Sequence, residues 1–232
     1  MIIGGLQKLT LIDYPGHIAA TVFTVGCNFR CPFCHNPELV KNGRQGIGNG
    51  IFEKNLFEFL ESRKGKLEGV CITGGEPTIQ PDIVNFLRKI KKLGYKVKLD
   101  TNGARPDVLR NLYTQNLLDF VAMDIKSDLK NYEKTANSKV DLERIKLSVE
   151  LVRNSGIDYE FRTTVVPGLH KEENFLEIGR WLKGSKKYVL QKYEDKGKIL
   201  DPDLKKRIKG KKIDLDKIAK NIKKYFGKVE IR

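Results

Sequence analysis

Three cysteines, Cys27, Cys31 and Cys34, stand within eight residues of the stretch Gly26-Cys27-Asn28-Phe29-Arg30-Cys31-Pro32-Phe33-Cys34-His35-Asn36-Pro37. Thiolates so close in sequence can fold around one soft metal centre, and thiolates are the usual ligands of iron–sulfur clusters. A four-iron cube held by three cysteines keeps one iron open, and an open iron can bind a small molecule. The fourth cysteine, Cys71, lies in the apolar run Val70-Cys71-Ile72 and reads as a small core residue. A zinc site completed by His35 would be unusually tight, because zinc motifs normally come as two separated pairs. An electron-carrying ferredoxin would need a fourth ligand cysteine, and none is left over.

Further polar residues cluster in four short stretches. Gly74-Gly75-Glu76-Pro77 offers a backbone that a ligand can approach closely and a carboxylate able to hold an ammonium group. Alone it reads more readily as an ordinary strand-to-helix turn. Asp100-Thr101-Asn102-Gly103 and Asp124-Ile125-Lys126 bring charges to strand ends, and Arg162 lies in a further strand-like run. The only histidines are His17, His35 and His170. His35 abuts the cysteine loop and is expected to shape it, and His170 reads as a surface residue at a helix start.

The elements that must position these residues alternate in type. Apolar, β-rich runs are expected as strands at Ile18–Thr24, Gly69–Thr73, Lys96–Asp100, Phe120–Lys126, Tyr159–Val166, Tyr188–Lys192 and Lys228–Ile231. Helical periodicity marks Phe52–Ser62, Asp82–Leu93, Arg105–Tyr113, Leu142–Asn154, Glu172–Leu182 and Leu215–Tyr225. Strands separated by helices of this length mean βαβ units and a parallel sheet. Six such units predict an α/β fold, a partial (βα)6 TIM-like barrel rather than a closed eight-unit one. Its chemistry belongs in the loops after the strand C-termini, and the polar stretches fall there repeatedly. The expected organisation is one barrel over residues 1–194 and a basic extension over 195–232 packed on the same domain.

The Cys-x3-Cys-x2-Cys spacing, with an aromatic before the third cysteine, resembles the signature of the radical S-adenosylmethionine (SAM) family. With Leu11-Ile12-Asp13-Tyr14-Pro15-Gly16 leading into the first predicted strand, the chain resembles the glycyl-radical-enzyme activating enzymes, most of all the activating proteins of anaerobic ribonucleoside-triphosphate reductases. The resemblance covers most of residues 5 to 193. It implies a 4Fe-4S cluster on Cys27, Cys31 and Cys34. SAM would be bound by Phe33, His35, Asn36, Gly74, Gly75, Glu76, Asp124, Ile125, Lys126, Arg162 and Tyr193. By the same resemblance Asp100, Thr101 and Asp124 would surround a monovalent cation beside the SAM carboxylate. The implied reaction is reductive cleavage of SAM to methionine and a 5′-deoxyadenosyl radical, which takes a Cα hydrogen from a glycine of the partner enzyme. A flavodoxin- or ferredoxin-type protein would donate the electron. Pyruvate formate-lyase activating enzymes carry a SAM-contacting histidine after the sixth strand. Here the run is Leu190-Gln191-Lys192-Tyr193-Glu194, with Gln191 or Tyr193 as the available substitutes. That departure argues against pyruvate formate-lyase as the partner. One cysteine spare is too few for an auxiliary cluster.

Composition narrows the classes. The chain has 232 residues, 40% hydrophobic and 31% charged, as in globular domains. Its longest apolar run, around Ile18 to Val25, is far short of the about 18 residues that span a bilayer. The start, Met1-Ile2-Ile3-Gly4-Gly5, lacks the features of a secretory leader, and four unevenly spaced cysteines do not make a disulfide scaffold. A reducing, cytoplasmic setting without membrane contact is the expectation. The net charge is +15, and Lys183 to Arg232 hold 18 Lys and Arg against 7 Asp and Glu, so +11 of it lies there. Few aromatics interleave these basic residues, so a solvated lysine-rich surface fits better than a nucleic-acid platform. Two other readings remain. One is a small-molecule radical SAM enzyme such as a 7-carboxy-7-deazaguanine synthase, which typically has Cys-Asp where this chain has Cys34-His35-Asn36. The other is a basic, metal-stabilised nucleic-acid-binding protein, which explains the charge but not the convergent loops.

Overall fold

The computed structural model describes residues 1–41 and 51–232. Eight strands form one sheet in sequence order: β1 (Ile3–Thr10), β2 (Ala19–Thr24), β3 (Gly69–Gly74), β4 (Lys96–Thr101), β5 (Phe120–Asp124), β6 (Asp158–Val165), β7 (Ser185–Lys192) and β8 (Phe226–Ile231). β2 to β8 are parallel to one another, and β1 alone is antiparallel to its neighbour. β8 does not pair with β1, so the sheet is open, as six βα units predict. The helices between the strands are α1 (Pro37–Lys41), α2 (Glu53–Ser62), α3 (Ile83–Lys92), α4 (Pro106–Thr114), α5 (Tyr132–Ala136), α6 (Leu142–Arg153), α7 (Glu172–Trp181), α8 (Leu204–Ile208) and α9 (Leu215–Ile222).

Each parallel strand shows two different faces, because side chains alternate along a strand. Val70, Ile72, Val97, Leu99, Val121, Met123, Phe161, Tyr188 and Leu190 are buried in the apolar core with the helices. α3 contributes Ile83, Phe86, Leu87 and Ile90 to it, the stripe its periodicity predicts. Burying each such side chain is worth about 1.5–3 kcal/mol. The alternate residues, Thr21, Cys71, Lys98, Asp100, Asp124, Glu160 and Arg162, share the other face, which is polar and holds the functional groups. Away from their loops, Tyr14 is buried on Phe120 with ring centroids 6.1 Å apart, and Thr21 donates to Asp13 at 2.6 Å. The Leu11–Gly16 stretch therefore closes the end of the barrel opposite the strand C-termini.

Two elements differ from expectation. β1 went unpredicted because it is an edge strand with two glycines and three exposed residues in a row, so it lacks an apolar alternation. In the 195–232 segment α8 was not expected, whereas α9 and β8 fall on the predicted helix and strand. The segment supplies all three, and β8 adds to β7 with Tyr188 opposite Val229. No helix among the described residues is long and apolar enough to cross a membrane.

Candidate active site

The ends of β2 to β7 surround one cavity of about 240 Å³. Its walls carry Cys27, Cys31, Phe33, Cys34, His35, Asn36, Gly74, Gly75, Glu76, Asp100, Thr101, Asp124, Lys126 and Arg162. Fourteen residues singled out in the sequence thus converge from five segments. Two others do not reach the wall. The Ile125 side chain is buried in the apolar core, and only its main chain acts locally, donating to the Arg162 carbonyl at 2.8 Å. Tyr193 packs behind His35, rings stacked at 5.6 Å, with its hydroxyl buried and unpartnered among the described residues. Of the two substitutes expected after the sixth parallel strand, Gln191 is the one on the cavity wall, beside Thr164.

The cysteine loop is held by four main-chain hydrogen bonds to three segments. The Gly26 amide donates to Leu39 (2.7 Å) and the Arg30 amide to Ala136 at the end of α5 (3.0 Å). From the C-terminal segment, the Leu200 amide donates to Cys34 and the Asp201 amide to Pro32, both at 3.0 Å. Phe29 and Phe33 are buried beneath the loop. Burial pushes the Cys27 thiol up to about 12 and the Cys31 thiol up to about 11, and it raises Cys34 too. Such thiols stay protonated at neutral pH until a metal displaces the proton. No three His, Cys, Asp or Glu side chains among the described residues close around a single metal ion. A cube fits the donor set, because each of its thiolates takes a separate iron and the three sulfurs need not meet at one point. Cys71 is fully buried and off the cavity wall, as a core residue should be, although its thiol donates to Asp100 at 3.8 Å.

The glycine pair has a structural need visible only in three dimensions. Gly74 has φ 113°, in the left-handed region that favours glycine, and a Cβ on Gly75 would overlap the Gly26 carbonyl oxygen. The two loops are stitched through this contact, the Gly75 amide donating to Thr24 and the Glu76 amide to Gly26, both at 2.8 Å. Glu76 is 1% exposed. Its Oε1 accepts from the Thr78 amide (3.0 Å), the Thr78 hydroxyl and the Thr101 hydroxyl (2.7 Å), and its Oε2 accepts from the Asn102 amide (2.7 Å). Burial raises its carboxyl above the usual range despite these donors, for no cation faces it among the described residues. A bound ammonium would supply the missing charge.

Opposite Glu76 lies a chain of alternating charges. Arg162 spans two carboxylates, bonding Asp100 Oδ2 through Nη2 (2.9 Å) and Asp124 Oδ1 through Nε. Lys126 Nζ takes Asp124 Oδ2 at 3.0 Å, and Lys98 Nζ takes Asp100 Oδ1. Burial would raise both carboxyls, but Arg162 with Lys98 outweighs it at Asp100, and Arg162 with Lys126 outweighs it at Asp124. Both are held below the ordinary carboxylate range. Burial would likewise lower Lys126 and Arg162, and the facing carboxylates raise them instead. Asp100, Asp124, Lys126 and Arg162 keep their charge through neutral pH. Two carboxylates against three cations leave one positive charge in excess, which suits a carboxylate ligand.

The sequence reading missed three contributors. Lys98 stands two residues before Asp100 on the same face, so strand periodicity alone could have paired them. His170 is not a surface residue. It is buried, accepting from the Val166 amide at Nδ1 (3.0 Å) and donating from Nε2 to the Lys126 carbonyl (2.8 Å). It thereby fixes the main chain that carries Lys126. Nothing local in the sequence marks this contact, nor the clasp that Leu200 and Asp201 place on the cysteine loop.

The family description "Radical SAM superfamily" matches residues 21–182. Among curated proteins, the chain is 33% identical over 237 residues to a Methanocaldococcus jannaschii protein that carries the name of a glycyl-radical enzyme activating enzyme. The match covers 100% of this chain and 95% of that one. A pyruvate formate-lyase-activating enzyme of Clostridium pasteurianum is 29% identical over 188 residues, covering 78% of this chain and 76% of its own. Streptococcus suis SuiB bound to S-adenosylmethionine has a similar fold, with TM-score 0.67 and 18% identity. It covers 90% of this chain, which spans about half of SuiB, 48%. Methylornithine synthase (PylB) matches with TM-score 0.64 and 16% identity over 91% of this chain and 63% of its own. The fold, the three-thiol loop and these relatives agree: the chain belongs to the radical SAM superfamily, among its glycyl-radical enzyme activating enzymes.

Proposed function

We propose that this protein generates the glycyl radical of an anaerobic ribonucleoside-triphosphate reductase. The observation that carries the reading is the shared cavity, where three thiols face a buried carboxylate on one side and a cation-rich cluster on another. Cys27, Cys31 and Cys34 hold the 4Fe-4S cluster. The buried, cation-free Glu76 and the Gly74-Gly75 backbone take the amino group of SAM, and Lys126 and Arg162 take its carboxylate. When bound, the cluster supplies the electron that cleaves the SAM sulfonium bond, giving the 5′-deoxyadenosyl radical. The chain's part is to anchor both ends of the amino-acid moiety in a partly enclosed cavity. A flavodoxin- or ferredoxin-type protein serves as the reductant, and the setting is cytoplasmic.

Gln191 on the cavity wall, where pyruvate formate-lyase activating enzymes have histidine, supports the reductase as partner. The test mixes the reduced, reconstituted protein and SAM with an anaerobic ribonucleoside-triphosphate reductase or, separately, with pyruvate formate-lyase. A glycyl radical signal in electron paramagnetic resonance is expected on the reductase alone. A radical on pyruvate formate-lyase alone, or on neither, contradicts the partner.

A further inference from the structure

Each side-chain oxygen of the groups expected to ring a monovalent cation already faces a protein donor, and on both carboxylates that donor is a cation. Arg162 and Lys98 occupy the two oxygens of Asp100. Arg162 and Lys126 occupy those of Asp124. The Thr101 hydroxyl donates to Glu76 and accepts from the Gly103 amide at 3.1 Å. A potassium or sodium ion on these oxygens would sit against the charges of Lys98, Lys126 and Arg162, which already neutralise the two carboxylates. The cation expected from the resemblance does not fit this chain.

We propose that Lys98 is a built-in replacement for that cation, so that SAM binding to this protein requires no potassium or sodium. Lys98 is 1% exposed and rises from β4 on the same face as Asp100. Its ammonium is walled by the Cys71 sulfur at 3.7 Å and the Phe120 ring, whose centroid is 5.9 Å away. Asp100 is its one carboxylate partner among the described residues. Desolvating an ammonium this far is costly unless it is paired, and here the pairing fixes the carboxylate that orients Arg162. Lys98 also supplies the charge that leaves the cluster of Asp100, Asp124, Lys126 and Arg162 with its positive excess. Without it those four groups sum to zero, and a SAM carboxylate would arrive with no surplus cation to meet it. Lys98 is therefore a positioning residue that acts on SAM through Asp100 and Arg162.

The proposal rests on reading the cavity as the SAM site, and its test separates the two. SAM affinity of the anaerobically reconstituted protein is measured by equilibrium dialysis in potassium, sodium or tetramethylammonium chloride at one ionic strength. Equal dissociation constants, within about twofold, are expected. Lys98→Met should weaken SAM binding about tenfold or more in tetramethylammonium, as loss of one partner of a buried charge pair does. Potassium or sodium should restore part of that loss, and Lys98→Arg should stay independent of the salt. A second readout needs neither cluster nor SAM. The thermal midpoint of the metal-free protein should not depend on which cation is present, whereas that of Lys98→Met should rise when potassium replaces tetramethylammonium. Wild-type binding that tightens tenfold in potassium or sodium overturns the proposal while leaving the SAM site intact. A Lys98→Met protein indifferent to the salt in both assays also overturns it. Absence of SAM binding in every salt overturns the site and the proposal together. Should Lys98→Met fail to fold, the wild-type salt series still decides.

Discussion

Gly75 shows how one residue can serve the site through the packing of two loops as well as through its place on the cavity wall. A methyl group there would meet the Gly26 carbonyl, so the β3 loop and the cysteine loop would have to separate. Gly75→Ala is expected to cost about 1–3 kcal/mol in chemical denaturation, as overpacking does, and to lower the iron bound after reconstitution. His170 acts from behind Lys126. Burial lowers its ring below the ordinary 6.5, and its Nδ1 accepts a main-chain amide, so the folded protein keeps it neutral. An unfolded chain takes up that proton as pH falls through 6.5 while the native state does not. The stability His170 contributes is thus present above that pH and lost below it. The advantage of wild type over His170→Gln in urea denaturation should be larger near pH 8 than near pH 5.5. An advantage that grows on acidification would contradict the neutral, buried assignment. The cysteine triplet and the Gly74-Gly75-Glu76 run were legible because their chemistry is written in local spacing. His170 was not, since its partner lies 44 residues away.

At the scale of elements, the segment before α8 does the least expected work. Its Leu200 and Asp201 amides hold the carbonyls of Cys34 and Pro32, so the C-terminal chain clasps the cysteine loop. Leu200→Pro removes one donor, and Leu200→Ala removes only the side chain. Iron release to a chelator should be several-fold faster from the proline variant than from the alanine variant, and equal rates would show that the clasp does not matter. A single lost hydrogen bond of this kind is worth about 0.5–1.5 kcal/mol. Periodicity placed α3 within a residue at each end, because Ile83, Phe86, Leu87 and Ile90 form one unbroken stripe. It overlooked β1, whose residues face solvent on much of the strand, and it began β8 two residues late at Lys228. Edge strands owe their existence to a neighbour's hydrogen bonds, which the sequence alone does not display.

Over the whole molecule, the polar face of the sheet explains where part of the basic charge goes. Glu160 on β6 is fully buried, with Arg232 on both oxygens at 2.8 and 2.9 Å and Lys187 at 3.2 Å. Lys187 also meets Glu230 at 3.1 Å. These contacts bind the open edge of the sheet, β8, to β6 across β7. Arg232→Ala should destabilise the protein by about 1–3 kcal/mol, less than a fully broken buried pair because Lys187 remains beside Glu160. Urea denaturation measures it, and an unchanged midpoint would assign the pairs no structural role. Elsewhere the basic segment is paired to the barrel and to itself, as in Lys217 with Glu172 at 2.8 Å and Lys205 with Asp195 at 2.8 Å. The partial barrel, the loops at its strand ends and the +11 segment were all readable in the sequence. That this segment grips the cysteine loop was not, because those contacts join residues more than 150 positions apart. The central claim is that this fold cleaves SAM with one electron at the three-cysteine loop. It is tested most directly by chromatography of 5′-deoxyadenosine from the reconstituted, reduced protein and from Cys31→Ala treated identically. Wild type should form 5′-deoxyadenosine and methionine, and Cys31→Ala neither. A wild-type protein loaded with iron and sulfide that binds SAM yet releases no 5′-deoxyadenosine under reduction would contradict the claim.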